Sequence, residues 1–133
     1  PNVAVLARQI VGEEGMGERV QIQAGNIVER APEGVYDAAL CKAYFQVLAP
    51  EQVVVAMLHI YQVLRPGGWI LVVGDMLDDI ADPADLACFS LFFLNAYKSG
   101  RLFYQREYST WLEAAGFVAV ERLQQGVLKA ERP

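Results

Sequence analysis

Helical and strand patterns alternate along this chain, and that order constrains the fold more than any other feature of the sequence. Apolar residues spaced three and four apart predict helices, whereas alternating or continuous apolar runs predict strands. The first half of the chain is predicted to contain helices at 2–11 and 50–64 and strands at 19–24, 36–44 and 69–73. Strands that alternate with covering helices are typical of an α/β sheet whose strands are mainly parallel.

The strand patterns predict different environments. Arg19 to Ala24 alternates strictly between polar and apolar residues, which indicates a strand with one wet face at or near a sheet edge. The run from Tyr36 to Tyr44 is almost continuously apolar and predicts an interior strand covered on both faces. Trp69 to Val73 gives the strongest signal for a buried strand. Asn2 is the predicted N-cap of the first helix.

The second half of the chain predicts two more helices and a hairpin. Asp82 and Pro83 are a predicted N-cap and first turn for a helix that runs to Lys98. Apolar residues surround most of this helix, so it must be covered on more than one side. The chain then closes with a short helix and two strands that pair as an antiparallel hairpin, predicted at 108–115, 117–120 and 127–130.

Composition limits the class of protein. With 133 residues and 54% hydrophobic content, the chain is expected to form one folded domain, 1–133. The excess of 16 acidic over 11 basic residues argues against nucleic-acid binding, which needs a basic surface. No apolar run is long enough to span a membrane. Cys41 and Cys88 are expected as free thiols in a reducing, cytoplasmic compartment.

Candidate site residues follow the predicted strands, because open α/β sheets bind ligands beyond the carboxyl ends of their strands. Asn26 has an amide that suits an amino-purine edge, and a role in a turn is the alternative. Lys42 either meets a charged partner at the end of its strand or extends to water. Gly74 and Asp75 follow the third strand.

Three further patterns do not predict a site. Gly12, Gly15 and Gly17 come after a helix and before a strand, which reverses the order of a dinucleotide-binding loop. The aspartates between 75 and 85 are explained by helix capping and a solvated loop, so no metal site is predicted. The only histidine, His59, is expected at the surface of its helix, which disfavours a histidine-based catalytic triad.

Four segments together resemble a known family. They are Glu-Arg-Val followed by Ala-Gly-Asn within 18–26, Tyr-Asp-Ala-Ala-Leu-Cys-Lys at 36–42, Leu-Arg-Pro-Gly-Gly at 64–68, and Trp-Leu-Glu-Ala-Ala-Gly-Phe at 111–117. Over nearly its whole length the chain resembles class I S-adenosylmethionine-dependent methyltransferases, and among these the small-molecule O-methyltransferases of the caffeate and hydroxyindole type. The resemblance implies a Rossmann-like sheet that ends in an antiparallel hairpin, S-adenosylmethionine as the cofactor and a small-molecule acceptor.

The resemblance also implies roles for individual residues. Asn26, which stands where the family usually has Asp, and Ile27 would flank the adenine, and Lys42 would lie beside the cofactor. Gln46 stands at the position of the family's histidine base, and Gly74 where an acidic residue often orients that base. An amide cannot take a proton from a phenol. The acceptor therefore arrives ionised, or it is methylated by alignment alone without a protein base, or the protein has lost O-methylation.

The family's first strand, its glycine-rich turn and its ribose-binding acid would all precede Pro1. The sheet is therefore expected to be incomplete at its N-terminal side. The chain would be a C-terminal fragment of the catalytic domain, or a partner chain supplies the missing strands, or the strands re-pair. The helix at 83–98 is expected to pack on an N-terminal segment or on the second subunit of a homodimer.

The leading functional hypothesis is S-adenosylmethionine-dependent methyl transfer, as O-methylation of a small molecule. Aromatic residues are candidates for contacts with that molecule, with core packing as the alternative: Phe89, Phe92, Phe93 and Tyr104. A non-catalytic Rossmann-like module for dimerisation or scaffolding is the alternative function. A nicotinamide-dependent oxidoreductase ranks last, because its glycine fingerprint is missing.

Overall fold

The computed structural model describes residues 2–78, 84–97 and 99–133, apart from the side chains of residues 84, 85 and 87. The elements in chain order are α1 (Asn2–Glu13), β1 (Tyr36–Lys42), a 3-10 turn (Phe45–Val47), α2 (Pro50–Val63), β2 (Leu64–Val73), α3 (Ala84–Ala96), α4 (Gln105–Ala114), β3 (Val118–Gln124) and β4 (Val127–Glu131). All four predicted helices are confirmed. For α3, the predicted N-cap Asp82, the first-turn Pro83 and the predicted end at Lys98 lie outside the described residues.

The four strands form one mixed sheet in the order β1-β2-β4-β3. β1 and β2 are parallel, whereas β4 is antiparallel to both β2 and β3. The predicted α/β sheet with a C-terminal antiparallel hairpin is therefore confirmed, and one of its three pairings is parallel. No helix within the described ranges is both long and apolar enough to cross a membrane.

The helix α2 forms because its ends are well defined and one side is apolar. Pro50 occupies the first turn, where a missing N–H is tolerated, and the Gln52 side chain accepts a hydrogen bond from the Ala49 N–H at 3.0 Å. Its buried side is formed by Val53, Ala56, Met57 and Ile60. Val54 and Tyr61 are only partly buried and Leu58 is exposed, so the buried side is a narrow stripe.

One face of the sheet carries the core. Ile70 and Val72 of β2, with Leu128 and Ala130 of β4, are buried, and their neighbours along each strand are more exposed. This alternation places the four side chains on one face, where α2 and α4 cover the sheet. The opposite face has no comparable cover among the described residues.

The strand predicted at 19–24 is wrong, because the structure has no strand there. The segment is held by side chains instead: the Gln23 amide donates to the Glu33 carbonyl at 3.0 Å and accepts from the Glu33 N–H at 3.1 Å. Arg8 of α1 also donates to the Ile22 carbonyl at 3.1 Å. A strand needs a neighbouring backbone to pair with, and none of the described strands lies beside this segment.

The prediction of β1 as an interior strand covered on both faces is also wrong. β1 forms an edge of the sheet, and Leu40 is 66% exposed. The apolar run lacks its expected burial because no described element packs extensively over the face that carries Leu40. Asn2 lies within α1 rather than capping it, and α1 has no buried residue.

The end of the chain is attached to the end of α2. The Arg132 guanidinium donates to the carbonyls of Tyr61 at 2.8 Å, Gln62 at 3.3 Å and Leu64, and it lies 4.6 Å from the centre of the Tyr61 ring. The carbonyls at a helix C-terminus have no partner within the helix, and a cation there interacts favourably with the helix dipole. Arg132 therefore caps α2 from the end of β4.

Candidate functional site

The carboxyl ends of the two parallel strands lie side by side. Lys42, the last residue of β1, is in register with Val73, the last residue of β2. The ladder continues one residue further, because the Ala43 N–H donates to the Val73 carbonyl at 2.8 Å. Residues 42–46 and 74–75 therefore follow the two strands at one edge of the sheet, as the sequence predicted.

Ala43 adopts a strained backbone conformation at this edge. Its φ is 48°, in the left-handed region that costs a residue with a Cβ roughly 1–2 kcal/mol. Such strained positions are frequent at ligand sites, where the surrounding structure fixes them. The strain supports this edge as the position of a site.

Gln46 lies in the 3-10 turn directly after this edge and is 6% exposed. Its backbone carbonyl accepts a hydrogen bond from the Arg101 backbone N–H at 2.9 Å, which fixes the turn against the loop before α4. Its side-chain Oε1 lies 4.0 Å from the place that a Cβ on Gly74 would occupy. The structure thus brings together Gln46 and Gly74, the two positions that the family resemblance paired. The Gln46 amide does not titrate, and Gly74 has no side chain.

Asn26 forms a local turn. Its Oδ1 accepts from the Val28 N–H at 3.1 Å, and its Nδ2 donates to the Glu29 carboxylate at 2.9 Å. This is the Asx-turn geometry that was the alternative to ligand binding. An amide has two donor hydrogens and two acceptor lone pairs, so Asn26 keeps one of each for a ligand.

The expectation that His59 lies at the surface is wrong. His59 is half-buried on α2, and its Nδ1 lies 2.6 Å from the Ile27 carbonyl. Because a carbonyl only accepts, Nδ1 is the donor in this bond. The helical pattern could not reveal the contact, since it joins residues 32 positions apart. His59 therefore holds the backbone beside Asn26 through Nδ1, and its Nε2 keeps a lone pair.

A cavity of about 430 Å³ lies between α1 and the segment that follows it. Its volume is in the range of small-molecule sites, about 300–1,000 Å³. Its lining includes Asn26 and Ile27 together with apolar Ile22 and the cations Arg8 and Arg30. Lys42 and Gln46 are not among the lining residues, so the predicted site residues lie in two regions, this cavity and the strand edge.

Lys42 is exposed and has no ion-pair partner within the described part of the chain. Of its two predicted environments, the structure shows the one in which the ammonium extends to water. Burial raises the pKa of Cys41 to about 12 and also raises the pKa of Tyr44. Both groups are therefore neutral near pH 7, and Lys42 is the charged group at this end of β1.

The acidic residues after β2 and the aromatic residues of α3 are the remaining candidates from the sequence. Asp78 pairs with Arg122 at 2.8 Å. Within the described residues, no group of three or more His, Cys, Asp or Glu side chains is placed to hold a metal ion. Asp79 and Asp82, part of the acidic run considered in the sequence, lie outside those residues. On α3 the rings of Phe89, Phe92 and Phe93 pack on one another, with centroids 5.1 to 6.0 Å apart.

An ion pair between Arg101 and Glu107, at the start of α4, was not anticipated from the sequence. Both oxygens of Glu107 accept from the Arg101 guanidinium, at 2.6 and 3.1 Å, and one also accepts from the Tyr104 N–H at 2.8 Å. The available signal was the acidic residue in the first turn of the helix, where it satisfies free N–H groups. The pair fixes the loop whose Arg101 N–H binds Gln46.

Comparisons with known proteins identify the family. The model of the O-methyltransferase domain matches residues 1–118. No curated protein sequence matches the chain significantly.

Solved structures share the fold. PigF with SAH matches with a TM-score of 0.90 and 22% identity, over 99% of this chain and 41% of PigF. The mitomycin 7-O-methyltransferase MmcR matches with a TM-score of 0.84 and 25% identity, over 100% of this chain and 40% of MmcR. Human N-acetylserotonin methyltransferase in complex with SAM matches with a TM-score of 0.75 and 24% identity, over 86% of this chain and 34% of that protein.

The chain spans less than half the length of each of these structures. Their similarity confirms the Rossmann-like methyltransferase fold that the sequence predicted. The family model covers most of the chain, including the strand edge, Gln46 and the cavity beside Asn26. The chain belongs to the O-methyltransferase domain family.

Proposed function

We propose that this chain, residues 1–133, is the C-terminal part of a catalytic domain that transfers a methyl group from S-adenosylmethionine to the oxygen of a small molecule. The observation that carries the proposal is the match of residues 1–118 to the O-methyltransferase domain. Two structures with the same fold contain SAH or SAM, and the name of a third states O-methylation. A small-molecule acceptor and a cytoplasmic location, which the free Cys41 and Cys88 support, are parts of the same proposal.

The residues present fit the cofactor. S-adenosylmethionine supplies a methyl group on a positively charged sulfur. Asn26 has one donor and one acceptor left for an adenine edge, and the half-buried Ile27 offers an apolar surface in the same cavity. His59 holds the Ile27 backbone in place. Lys42, at the end of β1, is a free cation for polar groups of the cofactor.

Calorimetric titration with S-adenosylhomocysteine tests this proposal. We expect the protein to bind, and Asn26→Ala to weaken binding about 3- to 10-fold, which is the effect of losing one hydrogen bond. Asn95→Ala is the matched control, because Asn95 is an exposed amide on α3, and it should leave the affinity unchanged. If the wild-type protein does not bind, or if both variants bind equally well, the assignment of Asn26 to the cofactor site is wrong.

Dimerisation is the second candidate function, because α3 is covered on one side only. Phe93 is 7% exposed, whereas its neighbours on the helix remain exposed: Phe89, Leu91, Phe92, Leu94 and Tyr97. A helix that is apolar around its circumference needs cover on several sides. We propose that α3 packs on a second copy of the chain, which would make the protein a homodimer with or without methyltransferase activity.

Sedimentation velocity over a range of concentrations tests the dimer. We expect the wild-type protein to sediment as a dimer and Leu94→Asp to sediment as a monomer, because a buried carboxylate without a partner opposes association. Leu58→Asp places the same charge at an exposed leucine on α2 and should leave the dimer intact. A wild-type protein that remains monomeric at all concentrations would exclude this role for α3.

A further inference from the structure

We propose that the site takes an acceptor whose oxygen is already ionised when it binds, such as an acidic phenol, and that the Gln46 amide holds this oxygen as a hydrogen-bond donor. The inference rests on the proposed methyl transfer and adds the chemical class of the acceptor to it.

Gln46 is the one amide or charged side chain that is buried among the described residues. It lies where the carboxyl ends of β1 and β2 meet, and its turn is fixed by the hydrogen bond from the Arg101 N–H. The neighbouring position, Gly74, contributes no side chain. An amide donates hydrogen bonds through its nitrogen but has no proton affinity near neutral pH. The group buried at this edge therefore stabilises an anion and cannot generate one.

Apart from Asp75, the other described groups that might remove a proton are engaged, uncharged or distant from this edge. His59, the only imidazole in the chain, keeps a lone pair on Nε2, but its Nδ1 is bonded to the Ile27 carbonyl, which places it beside the cavity of Asn26 and not at the strand edge. Glu107 is held by two hydrogen bonds from Arg101, and Asp78 is paired with Arg122. Cys41 and Tyr44 are uncharged near pH 7. Of the described residues, Asp75 remains as an exposed carboxylate at this edge, and a carboxylate is a weak base toward a phenol.

An ionised acceptor needs no base. Its oxygen gives an electron pair to the methyl carbon, a new O–C bond forms, the C–S bond breaks and its electron pair stays on sulfur. No proton has to leave, so alignment of the two reactants is sufficient. An ordinary phenol, with a pKa of about 10, would have to lose a proton in the same step. The exposed Lys42 ammonium adds attraction for an anion.

A binding experiment tests the ionisation directly. A panel of phenols of graded acidity, including 4-nitrophenol, is added to the protein saturated with S-adenosylhomocysteine, and the phenolate absorbance is followed against pH. We expect the apparent pKa of bound 4-nitrophenol to fall below its value in solution, and the fall to disappear in Gln46→Leu. The proposal is overturned if the phenols bind in the neutral form, if none binds, or if Gln46→Leu behaves like the wild-type protein.

Kinetics give a second test with a gain of function. We expect kcat/KM of the wild-type protein to rise with the acidity of the phenol, and Gln46→His to raise kcat/KM for unsubstituted phenol by about 10²- to 10⁴-fold, the usual contribution of a general base. Equal wild-type rates for acidic and ordinary phenols would overturn the proposal, as would loss of activity in Asp75→Asn.

The two proposals can fail separately. If S-adenosylhomocysteine itself does not bind, the proposed function fails. If it binds but the phenols bind in the neutral form, only this inference fails.

Discussion

Gly126 shows how closely the backbone packs at the carboxyl end of β2. It occupies the turn between β3 and β4 with a φ of 71°, and its carbonyl accepts from the Gly74 N–H at 2.9 Å. A Cβ at Gly126 would collide with the Gly74 carbonyl. The hairpin turn thus requires glycine for two reasons, the left-handed conformation and the absence of space.

Substitution by alanine at two positions separates these reasons. Gly67 has a similar φ of 77° but open space around its Cβ position. We expect Gly67→Ala to lower the free energy of unfolding by about 1–2 kcal/mol through backbone conformation alone. Gly126→Ala should lower it by roughly a further 1–3 kcal/mol, because the overlap must be relieved as well. Urea unfolding measures both, and equal losses would show that the contact with Gly74 is unimportant.

Glu107 links stability to pH. Burial raises its pKa, but the hydrogen bonds from Arg101 and from the Tyr104 N–H outweigh burial and hold the pKa below its ordinary value of 4.5. The folded protein therefore binds a proton at this group less readily than the unfolded chain. The stabilisation is complete above pH 4.5 and is lost as the pH falls through the lowered pKa of the folded state.

We expect Glu107→Gln to lower the free energy of unfolding by about 1 kcal/mol at pH 7. The difference from the wild-type protein should shrink as the pH falls below 4.5. Asp37→Asn is the control, because its ion pair with Arg65 is largely exposed and should contribute less than about 0.5 kcal/mol. A difference that stays constant from pH 7 to pH 3 would mean that the charge of Glu107 does not matter.

At the residue scale, the sequence predicted positions better than contacts. The proximity of Gln46 and Gly74 was predicted through the resemblance, because both follow parallel strands whose ends meet. The bond between His59 and Ile27 was not, since a polar residue on a helix gives no sign of a partner elsewhere in the chain. Asn26 forms the predicted turn, and its binding to a ligand stays a prediction, because an amide can form a turn and still bind a ligand.

At the element scale, one side chain connects α2 to the segment that carries Asn26. The His59 donor and the Ile27 carbonyl form this connection, and Ile27 packs against the hydrophobic core. The segment has no strand pairing, so single hydrogen bonds of this kind determine its position. Substitution of His59 should therefore make the backbone of this segment less ordered.

Hydrogen exchange of the amides in 22–33 tests this dependence. We expect His59→Ala to increase exchange there by roughly 3- to 10-fold, corresponding to one lost hydrogen bond, while the amides of β2 keep their protection. Asn carries a donor nitrogen at the position of Nδ1, so His59→Asn should retain most of the protection. Equal exchange in the wild-type and His59→Ala proteins would show that the segment is held by other contacts.

Elements with strong helical periodicity were predicted correctly, and strands were predicted less well. The helices α2 and α4 need only their own residues to form their backbone hydrogen bonds. The segment 19–24 has the side-chain alternation of a strand, but the hydrogen bonds of a strand come from another segment. Pattern analysis therefore identified a segment whose side chains suit a strand and not whether a partner lies beside it.

At the scale of the whole molecule, the sheet has an exposed apolar edge. One side of β1 is free of strand pairing among the described residues, and Leu40 is exposed there. Such an edge is a template for pairing with other chains, and a lysine on it opposes this pairing. We expect Leu40→Lys to reduce concentration-dependent light scattering of the protein. Leu58→Lys, at an exposed leucine of α2, should not, and an equal effect of both would implicate general solubility instead of the edge.

The fold class and the C-terminal hairpin were predictable from element order and from the family resemblance, whereas the strand at 19–24 was predicted wrongly and the burial of several elements was not predicted. The apolar runs of β1 and α3 predicted cover on both sides, yet Leu40 and Phe92 are exposed. Sequence patterns report the burial that a segment is suited to. The actual burial depends on what packs against it, which is a property of the assembly.

Arg132 gives the residues that follow β4 an unexpected influence on α2. Its guanidinium binds three carbonyls at the end of α2, although it is the second-last residue and contributes nothing to the core. Loss of Arg132 would break the two backbone hydrogen bonds that it forms with Gly67 and Gly68, and it would leave the carbonyls at the end of α2 without this donor, so the margin of the sheet and the end of the helix would loosen together.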